Sequence, residues 1–379
     1  MKSYKLKLTV ETPTHIGTGN TYYDLEYTVK NKKFYVINKA KFFKRLEKLG
    51  KIDLFTKIAA KGDESSIIEI RKLVHNNFNP EDSLANFEID KDALSDLEKK
   101  LFRFANIERH RSGKIMGILN RMKIRKTYKN PLSFKPMIPG SSIKGAIRTA
   151  LISYLISKDE ILLKKLSTIW AKYSRNPKKA INNMNNELIS LALRNFERKI
   201  KPDTTKDILR FIKVSDFMLV DGGIKIGKAE MVHRKKKKTG LPVYLEYITE
   251  KSVFEGTITI DKKAAEEIFG NEKNFREENF SIENIMKYLR IHYGKNTYYN
   301  GEREYFKDFI NWKLRQYKHK KEAPIKVGFH SGSLAVTTGI KEITKIYDKE
   351  KKQYKALPPL TLWTINKKPM GWCYLEVIE

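Results

Sequence analysis

Four short stretches of this chain carry residue types that could hold a polyanion. In Met137-Ile138-Pro139-Gly140-Ser141-Ser142-Ile143-Lys144-Gly145-Ala146-Ile147-Arg148, the Pro-Gly pair ends an extended segment. Ser141 or Ser142 is a good N-cap for the apolar helix that follows. The free N–H groups at such a helix start, with the positive end of its dipole, favour phosphate, and Lys144 and Arg148 sit four residues apart on one face to add charge. Contacts of this kind read a nucleic-acid backbone, not its bases. Gly145 precedes Ala146 where a Walker A loop needs Lys, so nucleoside triphosphate hydrolysis is not implied. A capped core helix with solvated Lys and Arg stays open beside the phosphate reading.

The second stretch is Thr12-Pro13-Thr14-His15-Ile16-Gly17-Thr18-Gly19-Asn20, where Gly17 and Gly19 let a foreign backbone approach without meeting a side chain. His15 is a weak candidate for general acid–base work on a ribose 2′-hydroxyl; a histidine that holds the turn together is the commoner case. The third is Lys326-Val327-Gly328-Phe329-His330-Ser331-Gly332-Ser333, a glycine-bearing loop after a strand in which Phe329 and His330 could stack on a base. The fourth, Arg234-Lys235-Lys236-Lys237-Lys238, lies between two strand patterns and reads as an exposed hairpin tip that samples phosphates without sequence preference. The carboxylates Asp24, Glu26, Asp203, Asp207 and Asp216 do not fall in a metal-binding spacing and read as caps and surface charges. No cofactor or metal is expected.

The elements that must position these stretches are mixed. Alternation in Tyr4–Thr12, Tyr22–Val29 and Phe34–Ile37 predicts a β-meander, with a turn over His15–Asn20. Asn38 is a good N-cap for a helix carrying Phe42, Phe43 and Leu46, which Gly50 stops. A charged helical insertion is expected over about 51–130, with an apolar stripe of Leu94, Leu97, Leu101, Phe102 and Phe104. From His110 to Lys135 a basic loop or arm is expected, carrying Arg111, Lys114, Arg121, Lys123, Arg125, Lys126, Lys129 and Lys135. A second helical block runs from Ser142 to about Ile200, and strands return from residue 207. Helices follow near Ala264, over Ile282–Tyr293 and over Arg303–Lys318, and the last strands are expected around Lys326–Phe329, Leu360–Ile365 and Trp372–Ile378. The simplest architecture is α+β in two units, 1–206 and 207–379, each a sheet with helices packed on one side.

Charge then selects the partner. Against 44 acidic residues stand 76 Lys plus Arg, a formal charge of +32, which points to a polyanion. A membrane surface is disfavoured because no run of about 18 apolar residues occurs and the N-terminal residues lack a signal-peptide core, so the chain is expected to be cytoplasmic. The single cysteine, Cys373, excludes an internal disulfide, a zinc ribbon and a Cys-x-x-Cys redox site.

Taken together, Thr12–Asn20, Ile138–Leu151, Ile208–Asp216, Leu245–Ile258 and Lys368–Ile378 resemble the RAMP superfamily of CRISPR proteins, and in order and spacing the subunit-five family of type III-A Csm effector complexes. The resemblance runs nearly end to end. It implies two ferredoxin-like, RRM-like RAMP domains with helical insertions at about 51–130 and 150–200. It further implies a non-catalytic RNA-binding subunit that caps the 3′ end of the CRISPR RNA in antiviral defence, contacts backbone subunit three and other Csm subunits, and supports RNA maturation by a recruited host trimming nuclease. By the same resemblance, His15, Gly17 and Gly19 belong to a first glycine loop, and Gly140, Ser141, Ser142, Lys144, Gly145 and Arg148 to an RNA-facing helix start. Two rivals stay open: a metal-independent CRISPR-repeat endoribonuclease using His15, and another structural RAMP subunit of a type III complex.

Overall fold

The computed structural model describes residues 1–23, 25–105, 123–158, 207–234, 240–269, 281–338, 345–348, 353–356 and 361–379, with scattered positions between 160 and 168. Two sheets organise these residues, and each draws strands from both sides of residue 207.

The first sheet is antiparallel. At its centre β1 (Lys2–Val10) lies between β12 (Val253–Ile260) and β18 (Trp372–Val377), with β13 (Glu322–Lys326) beyond β18. On the other side β9 (Phe217–Asp221) pairs with β12 and then with the two-residue β7 (Met137–Ile138), while β8 (Ile212–Val214) also joins β12. The period of two in β1 decides its faces: Leu6, Leu8 and Val10 are buried, while Lys5 and Lys7 point outward to Glu255 and Glu376 at 3.1 and 2.5 Å. The inner face is covered by the helices Gly140–Ser157 and Ile282–Leu289, whose Ile143, Ile147, Leu151, Ile285 and Leu289 complete one core with β1.

The second sheet runs β2 (Gly17–Tyr22), β6 (Ile124–Thr127), β11 (Val243–Ile248), β10 (Ile224–His233), β5 (Ser83–Ile89), β4 (Lys33–Ile37), β3 (Tyr27–Lys30), and is parallel at β6–β11 and β10–β5. Strand β4 is buried on both faces. Phe34 and Val36 join a core with Ile226 and Leu97 of the helix Lys91–Ala105, whereas Tyr35 and Ile37 pack on the helices Lys39–Lys48 and Glu64–Asn77 through Leu46 and Val74. Asn38 caps the first of these as expected, accepting from the Lys41 N–H at 3.2 Å. The far half of β10 pairs with β16 (Thr361–Ile365), which turns back into β17 (Lys368–Pro369). A separate hairpin joins β14 (Lys345–Asp348) and β15 (Gln353–Ala356).

The α+β class holds, with four local differences. Strands β1 and β2 do not form a hairpin, because Pro13 and Thr14 carry the chain from one sheet to the other; Gly17–Asn20 is an edge strand and not a turn. The segment 51–130 is not only helical. Its β5 and β6 complete the second sheet, and their half-polar sequences, SLANFEI and IRKT, masked them among charged neighbours. The expected helix Arg303–Lys318 ends at Phe306 after a π-helical stretch, Arg290–Glu302. The reason is visible in the backbone: Asn311 N–H goes to Lys367 O and Leu314 N–H to the Tyr298 hydroxyl, so these amides are satisfied outside a helix. The apolar residues Phe306, Ile310 and Leu314 are buried all the same. Finally, the strand expected at Lys326–Phe329 lies slightly earlier, and Val327–Phe329 is loop. Among the described residues no helix is long and apolar enough to cross a membrane.

Candidate nucleic-acid interface

The site grows around a buried carboxylate. Glu246 stands in the middle of β11, fully buried, and a charge there must be paired. It accepts from the Tyr22 hydroxyl of β2 at 2.6 Å, from the Thr127 N–H of β6 at 2.8 Å, and from the Lys129 ammonium, which burial pushes below its ordinary range against the pull of Glu246. The backbone carbonyl of Glu246 lies 2.7 Å from His15 Nδ1. One residue thus joins β2 and β6 to β11 and fixes the ring of His15 with its proton on Nδ1. Burial then lowers the pKa of His15 to about 4, with Arg125 and Lys129 adding to the effect.

The second glycine loop docks directly on the first. Phe329 N–H donates to the His15 carbonyl at 2.8 Å, and Gly328 takes φ +91°, where an added Cβ would lie 2.6 Å from that same oxygen. The C-terminal turn closes the junction: Val327 N–H donates to Gly371 O at 2.9 Å, and Gly371 N–H to Pro13 O at 3.0 Å. Beneath the loop a second buried pair repeats the design of the first. Lys326 is paired with Glu302, whose other oxygen accepts from Trp372 Nε1 at 2.8 Å. His15, Gly17, Gly19, Phe329 and His330 are therefore gathered on one rim, where Gly17, Thr18, Gly19 and Asn20 are exposed and Phe329 is half exposed.

Above that rim lies a row of rings. Phe329 and His330 are 4.0 Å apart between centroids, His330 and Trp363 of β16 are 4.2 Å apart, and the Arg125 guanidinium of β6 sits 5.2 Å over Phe329. Arg125 Nη1 also lies 3.4 Å from His330 Nε2. His330 adopts φ +68°, a conformation that a non-glycine residue keeps only when its surroundings enforce it.

The helix start is differently built than its sequence suggests. The helix begins at Gly140 with Pro139 as N-cap, and neither Ser141 nor Ser142 caps it. The Gly140 N–H is taken by the Asp216 carboxylate at 2.8 Å, and a Cβ at Gly140 would strike Val214 O at 2.3 Å. Arg148 pairs with Asp207 at 2.9 Å, and Lys144 lies in the field of the same carboxylate, its pKa lowered by burial. Asp216 thus caps the helix start from elsewhere in the chain. Asp207, which accepts from the Leu209 N–H at 3.0 Å, caps the short turn Ile208–Phe211 while its carboxylate holds Arg148 further along the helix, so both carboxylates act as caps, one of the two roles expected of them. Gly145 is exposed and open on its outer side. This start is tied to the first loop through β7: Met137 N–H donates to Tyr128 O and Tyr128 N–H to Ile16 O, at 3.2 and 2.7 Å.

The remaining expectations divide. Arg234 lies 5.3 Å over the Tyr305 ring, while Lys235, Lys236, Lys237 and Lys238 lie outside the described residues, as do Asp24 and Asp203. In the expected basic arm, Arg111, Lys114 and Arg121 lie outside the described residues and Lys123 and Lys135 are exposed, while the sheet sorts three others: Lys126 pairs with Glu26 at 2.9 Å, Lys129 with Glu246, and Arg125 faces rings. Sequence reasoning missed Glu246, Glu302 and Trp363. An isolated Glu inside the apolar run VYLEYI was the one available signal for Glu246.

Known proteins agree with this architecture. The profile of the RAMP superfamily matches residues 7–371. Two curated relatives, each named CRISPR system Cms protein Csm5, are similar: one from Methanocaldococcus jannaschii, 26% identical over 270 residues, and one from Streptococcus thermophilus, 27% identical over 271 residues. These matches cover 70% and 69% of this chain but only 54% and 65% of the relatives' own lengths. Among solved structures, a chain in the cryo-EM structure of a type III-A Csm–crRNA–target RNA ternary complex superposes with a TM-score of 0.62 at 17% identity, covering 99% of this chain and all of that one. The crystal structure of T. onnurineus Csm5 gives 0.60 at 17% identity, over 97% and 99%. The chain belongs to the RAMP superfamily.

Proposed function

We propose that this protein is a non-catalytic RNA-binding subunit of a type III-A CRISPR effector complex, cytoplasmic, capping the 3′ end of the CRISPR RNA. It would contact backbone subunit three and other Csm subunits and hold the RNA for a host trimming nuclease. The observation that carries this reading is the union of the two glycine loops at the His15–Phe329 hydrogen bond, which sets small residues, a half-exposed ring and the arginine of β6 on one rim of a chain with charge +32. The division into units 1–206 and 207–379 stands as part of the proposal; both sheets take strands across it.

The state of His15 supports binding over cutting. A general acid must be protonated near its working pH, which a pKa pushed down to about 4 disfavours, and a general base must reach the 2′-hydroxyl, yet His15 is 1% exposed and bonded through Nδ1 to a backbone carbonyl. The test is incubation of the protein and of His15→Ala with end-labelled CRISPR repeat–spacer RNA, in EDTA and in Mg²⁺. Retention without His15-dependent cutting is expected. Cutting in EDTA that disappears in the variant would make the chain a metal-independent endoribonuclease instead.

A further inference from the structure

We infer that Arg125, Phe329, His330 and Trp363 form a subsite for one unpaired nucleobase and its adjoining phosphate, with Phe329 as the stacking surface; this rests on the RNA-binding reading above. Phe329 is 49% exposed at the edge of an otherwise closed junction, and its backbone is locked by the bond to His15, so its ring is presented and not merely left over. A base has a π-face whatever its identity, so such a surface accepts any base.

The rest of the row fixes that ring. Trp363 is carried on β16, held to β10 by the register Met231↔Trp363, and backs His330 at 4.2 Å. His330 in turn backs Phe329 at 4.0 Å. His330 is neutral here, since burial and Arg125 drive its pKa to about 3, and its Nε2 is left as the acceptor toward Arg125. The described partners of Arg125 are rings, not carboxylates, so the planar cation keeps its charge available beside the stack. A nucleotide stacked on Phe329 would therefore bring its phosphate to a guanidinium already oriented by Phe329 and His330. Arg125 and Phe329 touch the ligand in this arrangement, and His330 and Trp363 are positioning residues.

The experiment uses the full chain and single-stranded RNA carrying a fluorescent adenine analogue whose emission is quenched by stacking, scanned along the strand, beside the same RNA with an abasic unit. One scan position is expected to be quenched, and an abasic unit there is expected to weaken binding roughly ten-fold. Phe329→Leu should abolish the quench with a similar loss. Arg125→Lys should reduce affinity although charge is kept, and Trp363→Leu should diminish the quench while leaving the salt dependence unchanged, a split that general destabilisation would not give. Tight wild-type binding with the same quench in Phe329→Leu overturns the subsite and leaves the RNA reading standing. Absence of wild-type binding to intact RNA overturns both.

Discussion

The backbone amide of Phe329 donates to the carbonyl oxygen of His15 at 2.8 Å, and this bond joins loops from opposite ends of the chain. It exists because Gly328 turns through φ +91° with no side chain against that oxygen. Gly328→Ala forces a Cβ to within 2.6 Å of it, so the junction must open. The expected cost is about 3 kcal/mol in urea unfolding, with loss of RNA retention. Gly332→Ala is the control: at φ +90° it meets nothing closer than Leu362 Cδ1 at 3.7 Å, and should cost about 1 kcal/mol while binding persists.

A second prediction concerns the carboxylate under the first loop. Glu246→Gln leaves the Lys129 ammonium buried without its counter-charge and should destabilise the protein by about 3–5 kcal/mol. Combining it with Lys129→Met removes the stranded charge and should recover part of that loss. A double variant as unstable as the sum of the two singles would show that the pair is not coupled.

Much of this was legible in sequence where a single local rule decided the outcome. Asn38 caps its helix because an Asx side chain three residues ahead of an N–H does so almost anywhere. The alternation of Leu6, Leu8 and Val10 fixed one face of β1 for the same local reason. The gathering of His15 with Phe329 was not foreseen, since nothing in either loop says that they meet. The failures were tertiary. Ser141 and Ser142 are as good caps as Asp216, but the backbone of Val214 and Ser215 packs so tightly on Gly140 that the remote carboxylate takes the N–H. Arg125, Lys126 and Lys129 look alike in a basic run, yet their different partners follow from the pairing of β6 with β2 and β11, which no periodicity announces.

Asp207 provides a test of the helix start. It pairs with Arg148 at 2.9 Å and faces Lys144, so it competes with any phosphate for both cations. Lys144→Ala with Arg148→Ala should weaken RNA binding about equally for all sequences and flatten its salt dependence, because fewer counterions are released. Asp207→Asn should do the opposite, tightening binding at low salt and steepening the slope. Identical slopes in all three proteins would remove this helix from the RNA path.

The acid response follows from three histidines. Burial lowers His15 and His292 to about 4 and His330 to about 3, against an ordinary 6.5, so between pH 6.5 and about 4 the unfolded chain binds more protons than the folded one. Stability should therefore fall as pH drops through that window. Asp90 and Glu11, raised by burial, act in the opposite sense nearer their own range. His292 separates the contributions, because both of its buried ring nitrogens lack a hydrogen-bond partner among the described residues. Replacing an unsatisfied polar ring by an apolar side chain removes a desolvation cost. His292→Leu is expected to unfold at the same or a higher temperature than the parent at pH 7.5, and to lose less of its thermal midpoint on transfer to pH 5. A steeper loss in the variant would mean that His292 is charged in the folded protein, held by a partner that its ring now satisfies.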